Sequence, residues 1–326
     1  IRFAFLTGIS KFSKASIFSG LNNISDISLM SRYATICGYT QKDIDSTFAP
    51  YLKGADREKI RLWYNGYNFL GESVYNPFDI LLFINNDFRF RSYWWESGNA
   101  FALVKLLEKG NYYLPSLQNL KTDETLLNSF DIENLKIESL LFQAGYLTID
   151  EMVVDEEFDT IEYRLRVPNM EVQISLNRLM AEYLSGEFNL DSAKSLRRAL
   201  LYGDMDTFKE SLEALFSSIA YENYRRNDIA HYEGYYASIV YAYLAGSALK
   251  IRAEDVSNRG KIDLSIEVGE KIYILEFKVG KSNALEQIRQ KRYYEKYMNR
   301  GKKIYLVGIN FDEEQRNIAH FEWDEL

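Results

Sequence analysis

Apolar positions in the last third of the chain change their spacing several times, and each change marks an element. Residues 232–249 are apolar almost throughout and long enough for a buried helix, with Glu233 in its first turn. Residues 262–268 and 271–279 are short, rich in β-branched residues and bounded by turn signals, so they predict two strands. Gly269-Glu270 joins them, and glycine at the first of two connecting positions suits a type II′ hairpin turn. Residues 282–297 mix apolar Leu285, Ile288, Tyr293 and Tyr297 with polar positions, which predicts a helix. Residues 303–311 predict a further strand. The expected order is helix, strand hairpin, helix, strand: an α/β core.

The first two-thirds read differently. Residues 2–6 form a short apolar strand ending at Thr7-Gly8, and residues 24–110 are mostly helical. Turn signals fall at Gly38, Gly54, Gly66 and Asn76-Pro77. Trp63, Tyr64, Tyr67, Trp94 and Trp95 are expected in a core rather than on a ligand platform. A helix at 132–143, a hairpin from 146–149 and 161–167, and a helix at 170–184 suggest a winged-helix-like module. Asp150, Glu151, Asp155, Glu156, Glu157 and Asp159 crowd its tip and would repel phosphate, so a structural or protein-contact role is expected there. Helices across 188–217 join at Gly203-Asp204. The fold class expected is therefore multi-domain, α/β and mostly α. Its parts are a helical region at 1–130, the winged-helix-like module at 131–187, a helical linker at 188–218 and an α/β domain at 219–326.

The hairpin carries the chemistry. Pairing Val268 with Lys271 and counting back along both strands sets Asp263 opposite Glu276, with Lys278 on the same face as Glu276. Directly opposed residues have Cβ atoms roughly 4.5–5.5 Å apart, and like charges so placed destabilise the pair. The second strand is apolar nearly throughout, as in a central strand buried on both faces, so a simple solvated face does not explain these charges. Two such carboxylates call for a hard divalent cation, Mg²⁺ or Mn²⁺, with Lys278 as neighbour.

Composition narrows the classes. The chain has 326 residues, 47% hydrophobic, with 4 Pro, enough for two or three ordered domains. A single cysteine, Cys37, excludes an internal disulfide and a Cys-rich zinc site, and fits a reducing cytoplasm. Two histidines, His231 and His320, make a His-based metal site or triad a poor explanation. No apolar run approaches the ~20 residues of a membrane span. The chain opens on Ile1 rather than Met, and is expected to be a piece of a longer protein. Net charge is −8, but residues 1–220 carry that whole excess, and residues 250–303 hold 14 basic against 8 acidic groups. Positive potential is thereby focused near the proposed strands, which matters for a polyanion. Arg259, Lys261, Arg289, Lys291 and Arg292 are candidate phosphate contacts.

Asp263…Glu276-Phe-Lys278 in this setting resembles the PD-(D/E)XK nuclease superfamily. Glu233-Gly-Tyr-Tyr, Arg259-Gly-Lys-Ile-Asp, Ile274-Leu-Glu-Phe-Lys and Ala284-Leu-Glu-Gln-Ile resemble, more narrowly, bacterial proteins that join an AAA-type ATPase-like region to such a domain. The likeness covers about the last 105 residues and implies a restriction-endonuclease-like core. Relatives commonly carry Gly-Arg-x-Asp, where this chain has Lys261 in the basic position. The resemblance implies Asp263 and Glu276 as metal ligands with the Phe277 carbonyl completing the shell. Lys278 would hold the attacking water or neutralise the phosphate. Glu233 is either a further ligand or a first-turn acid favoured by the helix dipole. Gln287, Gln290 and Tyr294 lie where some relatives keep a Gln and a Tyr near the metal, and are assigned to the nucleic-acid face. Residues 1–23 look like a late strand of the ATPase core. The phosphate loop Gly-x-x-x-x-Gly-Lys-[Ser/Thr] is absent, so no ATP hydrolysis is expected from this chain. The leading expectation is a cytoplasmic, metal-dependent nuclease with DNA favoured over RNA and a homo-oligomer or protein contact through the N-terminal region. The alternatives are a non-catalytic nucleic-acid or protein-binding module, and a nucleotide-gated regulator whose ATPase part lies upstream.

Overall fold

The structure is a computed structural model that describes residues 3, 5, 25–97, 120–123, 137–158, 160–220, 233–257, 260–280 and 283–326. The strand expected at 2–6 and the first half of the helix expected at 132–143 lie largely outside these residues. Contacts divide the chain into two compact units, Ile1–Gly110 with Asn119–Val172, and Asn111–Gln118 with Gln173–Leu326.

In the first unit, short helices are set by their caps. Helix α1 (Gln41–Asp45) begins at Thr40, whose hydroxyl accepts from the Asp43 amide while Asp43 accepts from the Thr40 amide. Asp56 caps α2 (Arg57–Tyr64), and the hairpin β1 (Asn65–Tyr67) and β2 (Val74–Tyr75) follows. Asn76 caps α3 (Pro77–Asn85), with proline at its first turn, and α4 (Tyr93–Ser97) follows. Ile44, Leu52, Ile60, Tyr64, Tyr75, Ile80, Phe83 and Tyr93 form their buried core, so the aromatic surplus is packing. A three-stranded antiparallel sheet orders β3 (Lys121–Asp123), β5 (Thr160–Arg166) and β4 (Thr148–Asp155), with α5 (Ile137–Gln143) leading into β4. Both hairpin strands differ in extent from the sequence expectation, because hydrophobicity fades where β4 leaves the core. Ion pairs Asp150–Arg166, Glu151–Arg164 and Glu162–Lys121 accompany this polar pairing. The division between units falls inside α6 (Met170–Ser185).

The second unit is built on a five-stranded sheet in the order β10-β9-β8-β7-β6. Helices α7 (Leu190–Tyr202) and α8 (Met205–Ser218) meet at Gly203, left-handed at φ 80, and Asp204 caps the second. Every residue of α9 (Glu233–Gly246) after Glu233 is buried, as expected of a helix that is apolar all round. Strands β7 (Gly260–Val268) and β8 (Lys271–Val279) form the expected hairpin, with Gly269 at φ 54 in the turn. Strand β9 (Lys303–Asp312) runs parallel to β8.

Two edge strands, β6 (Lys250–Ser257) and β10 (Asn317–Glu325), had no counterpart in the sequence reading. In β6 the alternation runs only from Lys250 to Glu254 before Asp255 breaks it, and in β10 it is confined to Phe321–Asp324; pairing with an apolar neighbour fixes both strands. The helix expected across 282–297 is interrupted. Helix α10 (Ala284–Lys291) stops at Arg292, left-handed at φ 49, and a 3₁₀ segment (Tyr293–Arg300) continues. Tyr293 and Tyr297 stay buried with Leu285 and Ile288, which is why one apolar face spanned both elements.

Candidate active site

The β7–β8 ladder keeps the expected register from Val268↔Lys271 to Leu264↔Leu275 and then ends one step before Asp263. There the Asp263 Oδ2 accepts the Phe277 amide at 2.9 Å, a donor that a continued ladder would have given to a backbone carbonyl. Pairing with β6 also skips Asp263 and its opposite number Glu254, which is left-handed at φ 46. Asp263 is thus held where the sheet opens rather than within a regular ladder.

Glu276 is 1% exposed and stands in the middle of the sheet, paired with Gly308 of β9. A Cβ on Gly308 would lie 2.3 Å from the Leu285 amide nitrogen and 2.8 Å from its Cα. The missing side chain lets the start of α10 lie directly on the strand. Asn283 caps that helix by accepting from the Glu286 amide, and Asn310 Oδ1 accepts from the Ala284 amide. One turn on, Gln287 Nε2 donates to Glu276 Oε1. The other oxygen, Glu276 Oε2, is buried with no hydrogen-bond partner.

Lys278 completes the cluster. Its Nζ donates to the Phe277 carbonyl at 2.8 Å, to Glu233 Oε1 at 3.0 Å and to Glu276 Oε1 at 3.4 Å. Burial first, then the Asp263 carboxylate, pushes Glu276 up to about 8, against the pull of Lys278. Burial also lifts Asp263 to about 6, opposed by the Phe277 amide and Lys278. For Lys278 burial works against the charge, but Glu233, Glu276 and Asp263 outweigh it and hold the ammonium above the usual lysine range.

The expected nucleic-acid contacts are more scattered. Arg289 bonds Asp324, Arg292 pairs with Glu295, and Lys261 pairs with Glu254. Lys291 is exposed, Gln290 donates to Glu286, and Arg259 lies outside the described residues. Tyr294 is only partly buried against the core cluster, whereas Tyr293 is 3% exposed and hydrogen-bonds Gln287. Sequence reasoning passed over Asp255, a buried carboxylate that accepts from Ser265, Lys296 and Tyr297. It follows Ile251 and Ala253 on the buried face of β6, a short alternation that the sequence reading did not use.

Residues 231–321 match the family model of the PD-(D/E)XK nuclease superfamily. That stretch takes in α9, the hairpin, α10 and β9, so it contains Asp263, Glu276 and Lys278. The chain is also 44% identical over 327 residues to a protein of Azotobacter chroococcum mcd 1 described as "Uncharacterized protein in vnfD 5'region". The alignment covers 98% of this chain and 63% of that relative, so the chain spans a little under two-thirds of the protein it matches.

The donor set suits a hard cation: two carboxylates, one of them with a buried oxygen that lacks a hydrogen-bond partner, and a backbone carbonyl. Among the described residues, no three acidic, histidine or cysteine side chains converge closely enough to hold a metal as they stand. No helix among them is long and apolar enough to cross a membrane.

Proposed function

We propose that residues 233–326 form a metal-dependent phosphodiesterase domain acting on nucleic acid, with DNA favoured. The unpartnered Glu276 Oε2, buried beside Asp263 and Lys278, carries this reading. A buried carboxylate oxygen without a donor is costly and is relieved by a proton or a cation, and at Glu276 the neighbouring Asp263 carboxylate and Phe277 carbonyl favour the cation. Asp263, Glu276 and the Phe277 carbonyl would hold a Mg²⁺ or Mn²⁺ ion, which supplies an acidified water and a clamp on a phosphate oxygen when bound. Gln287 fixes the orientation of the Glu276 carboxylate. The Phe277 amide fixes Asp263. Lys278 supplies positive charge for the developing phosphate oxyanion or orients the water. Glu233 positions Lys278 through its 3.0 Å contact.

The test is cleavage of single- and double-stranded DNA and of RNA with Mg²⁺ or Mn²⁺, comparing the parent with Asp263→Asn. The parent is expected to cut and the variant to lose on the order of 10²-fold or more in rate. A parent that leaves all of these substrates intact with both metals overturns the reading. That outcome would favour a non-catalytic module, for which the ion-paired state of Arg289, Arg292 and Lys261 speaks.

A further inference from the structure

A lysine ammonium has three N–H donors and no acceptor. At Lys278 all three have an oxygen within reach: the Phe277 carbonyl, Glu233 Oε1 and Glu276 Oε1. Two of these oxygens belong to groups that the proposed function gives to a divalent cation. The third, on Glu233, tethers the ammonium from the first residue of α9. Asp263 adds a negative field from the opposite strand. The ammonium is therefore coordinated much as a hard cation would be, by oxygens alone. In this arrangement it has no unengaged N–H left for a water or a phosphate.

We infer that Lys278 is the resident cation of the site, engaging two of the ion's proposed ligands, the Phe277 carbonyl and the Glu276 carboxylate, while Glu233 tethers it, until the ion displaces it. The inference rests on the metal-dependent reading above. Its physical basis is that the shared Phe277 carbonyl and Glu276 carboxylate cannot hold an ammonium and a divalent ion together, since the two cations carry like charge at contact distance. Displacement frees the Phe277 carbonyl and leaves the Glu276 carboxylate held by Gln287 alone, with its charge available to the ion. The same movement gives the lysine unengaged donors. Metal arrival and activation of the lysine are thus a single exchange, and the metal-free protein is protected from a misdirected charge. An ordinary neighbouring lysine, by contrast, would keep its contacts when the metal binds.

Two measurements on the whole chain test this without reading cleavage. The first is calorimetric titration of Mn²⁺ into the parent and into Lys278→Met, which keeps the length of the side chain and removes its charge and donors. The variant is expected to bind Mn²⁺ at least tenfold more tightly, and its metal-free form to melt lower than the parent's. The second uses the parent alone, so that a poorly folded variant leaves the question answerable. Lys278 is acetylated briefly with acetic anhydride with and without saturating Mg²⁺, and its labelling is measured by mass spectrometry relative to exposed Lys291. Labelling of Lys278 is expected to rise several-fold when the ion is present. Parent binding with unchanged Lys278 labelling, or with equal or weaker Mn²⁺ affinity in Lys278→Met, overturns the exchange and leaves the metal-dependent reading standing. Failure of both proteins to bind either ion at millimolar concentration overturns the two together.

Discussion

Glu171 lies in the first turn of α6 with its carboxyl fully buried against Asp79, itself fully buried in the first turn of α3. The Trp94 amide is shared between them, at 2.9 Å from Asp79 Oδ1 and 2.8 Å from Glu171 Oε1. Burial first, and then the hydrogen bond and charge of Asp79, push Glu171 up to about 10. Burial likewise raises Asp79, although the Glu171 hydrogen bond opposes it. A carboxyl raised in the fold binds its proton more tightly there than in the unfolded chain. Stability therefore falls as pH rises, from the ordinary glutamate range near ~4.3 up towards about 10. Glu171→Gln removes the titration and keeps the shape. Its urea midpoint is expected to exceed the parent's at pH 8, with the gap narrowing toward pH 5. Parallel curves for the two proteins across that range would show that the pair is not titrating with folding.

Gly308 shows how one element is placed by what another lacks. With a Cβ only 2.3 Å from the Leu285 amide nitrogen, Gly308→Ala must move α10 away from β9. Backbone crowding of this kind costs about 1–3 kcal/mol, which chemical denaturation will register. The displaced helix also takes Gln287 off Glu276, so the variant is expected to bind Mn²⁺ more weakly than the parent as well. Loss of stability with metal affinity unchanged would mean that the Gln287 contact does not orient the carboxylate. Asn283→Ala leaves the Gly308–Leu285 contact intact and removes the cap, a loss of about 1 kcal/mol, together with an exposed hydrogen bond to Glu322. It is therefore the control for fraying of α10 without displacement.

For the molecule as a whole, the question is how a chain of net charge −8 would meet a polyanion. Residues 250–303 are locally basic, yet Arg289, Arg292 and Lys261 each spend their charge on a neighbouring carboxylate. Exposed pairs of this sort contribute little to stability, ~0–1 kcal/mol, and exchange readily for phosphate. Nucleic-acid affinity is accordingly expected to be modest, with a shallow dependence on salt. Asp324→Asn removes the closer of the two carboxylates paired with Arg289, leaving Glu286 at 3.9 Å, and should tighten binding several-fold at low salt while steepening the log–log salt slope by up to about one. Fluorescence anisotropy of a labelled DNA over a salt series measures both. No change in either quantity would remove Arg289 from the binding face.

Residues 262–279 show how much the sequence determined by itself. Two short strand-like runs and a glycine at the two-residue turn between them were sufficient to give the hairpin, its register as far as Leu264↔Leu275, and the company of Glu276 and Lys278. Local rules worked there because a two-residue turn leaves a hairpin almost no freedom of pairing. The edge strands β6 and β10 had no such signal, because their positions come from pairing with neighbours far along the chain rather than from their own hydrophobicity. The break in the ladder at Asp263, the choice of Tyr293 over Tyr294 beside Gln287, and the capture of Lys278 by Glu233 were likewise decided only in three dimensions. Each depends on a distance between elements, and a sequence fixes spacing along a strand or helix but not how closely two of them approach.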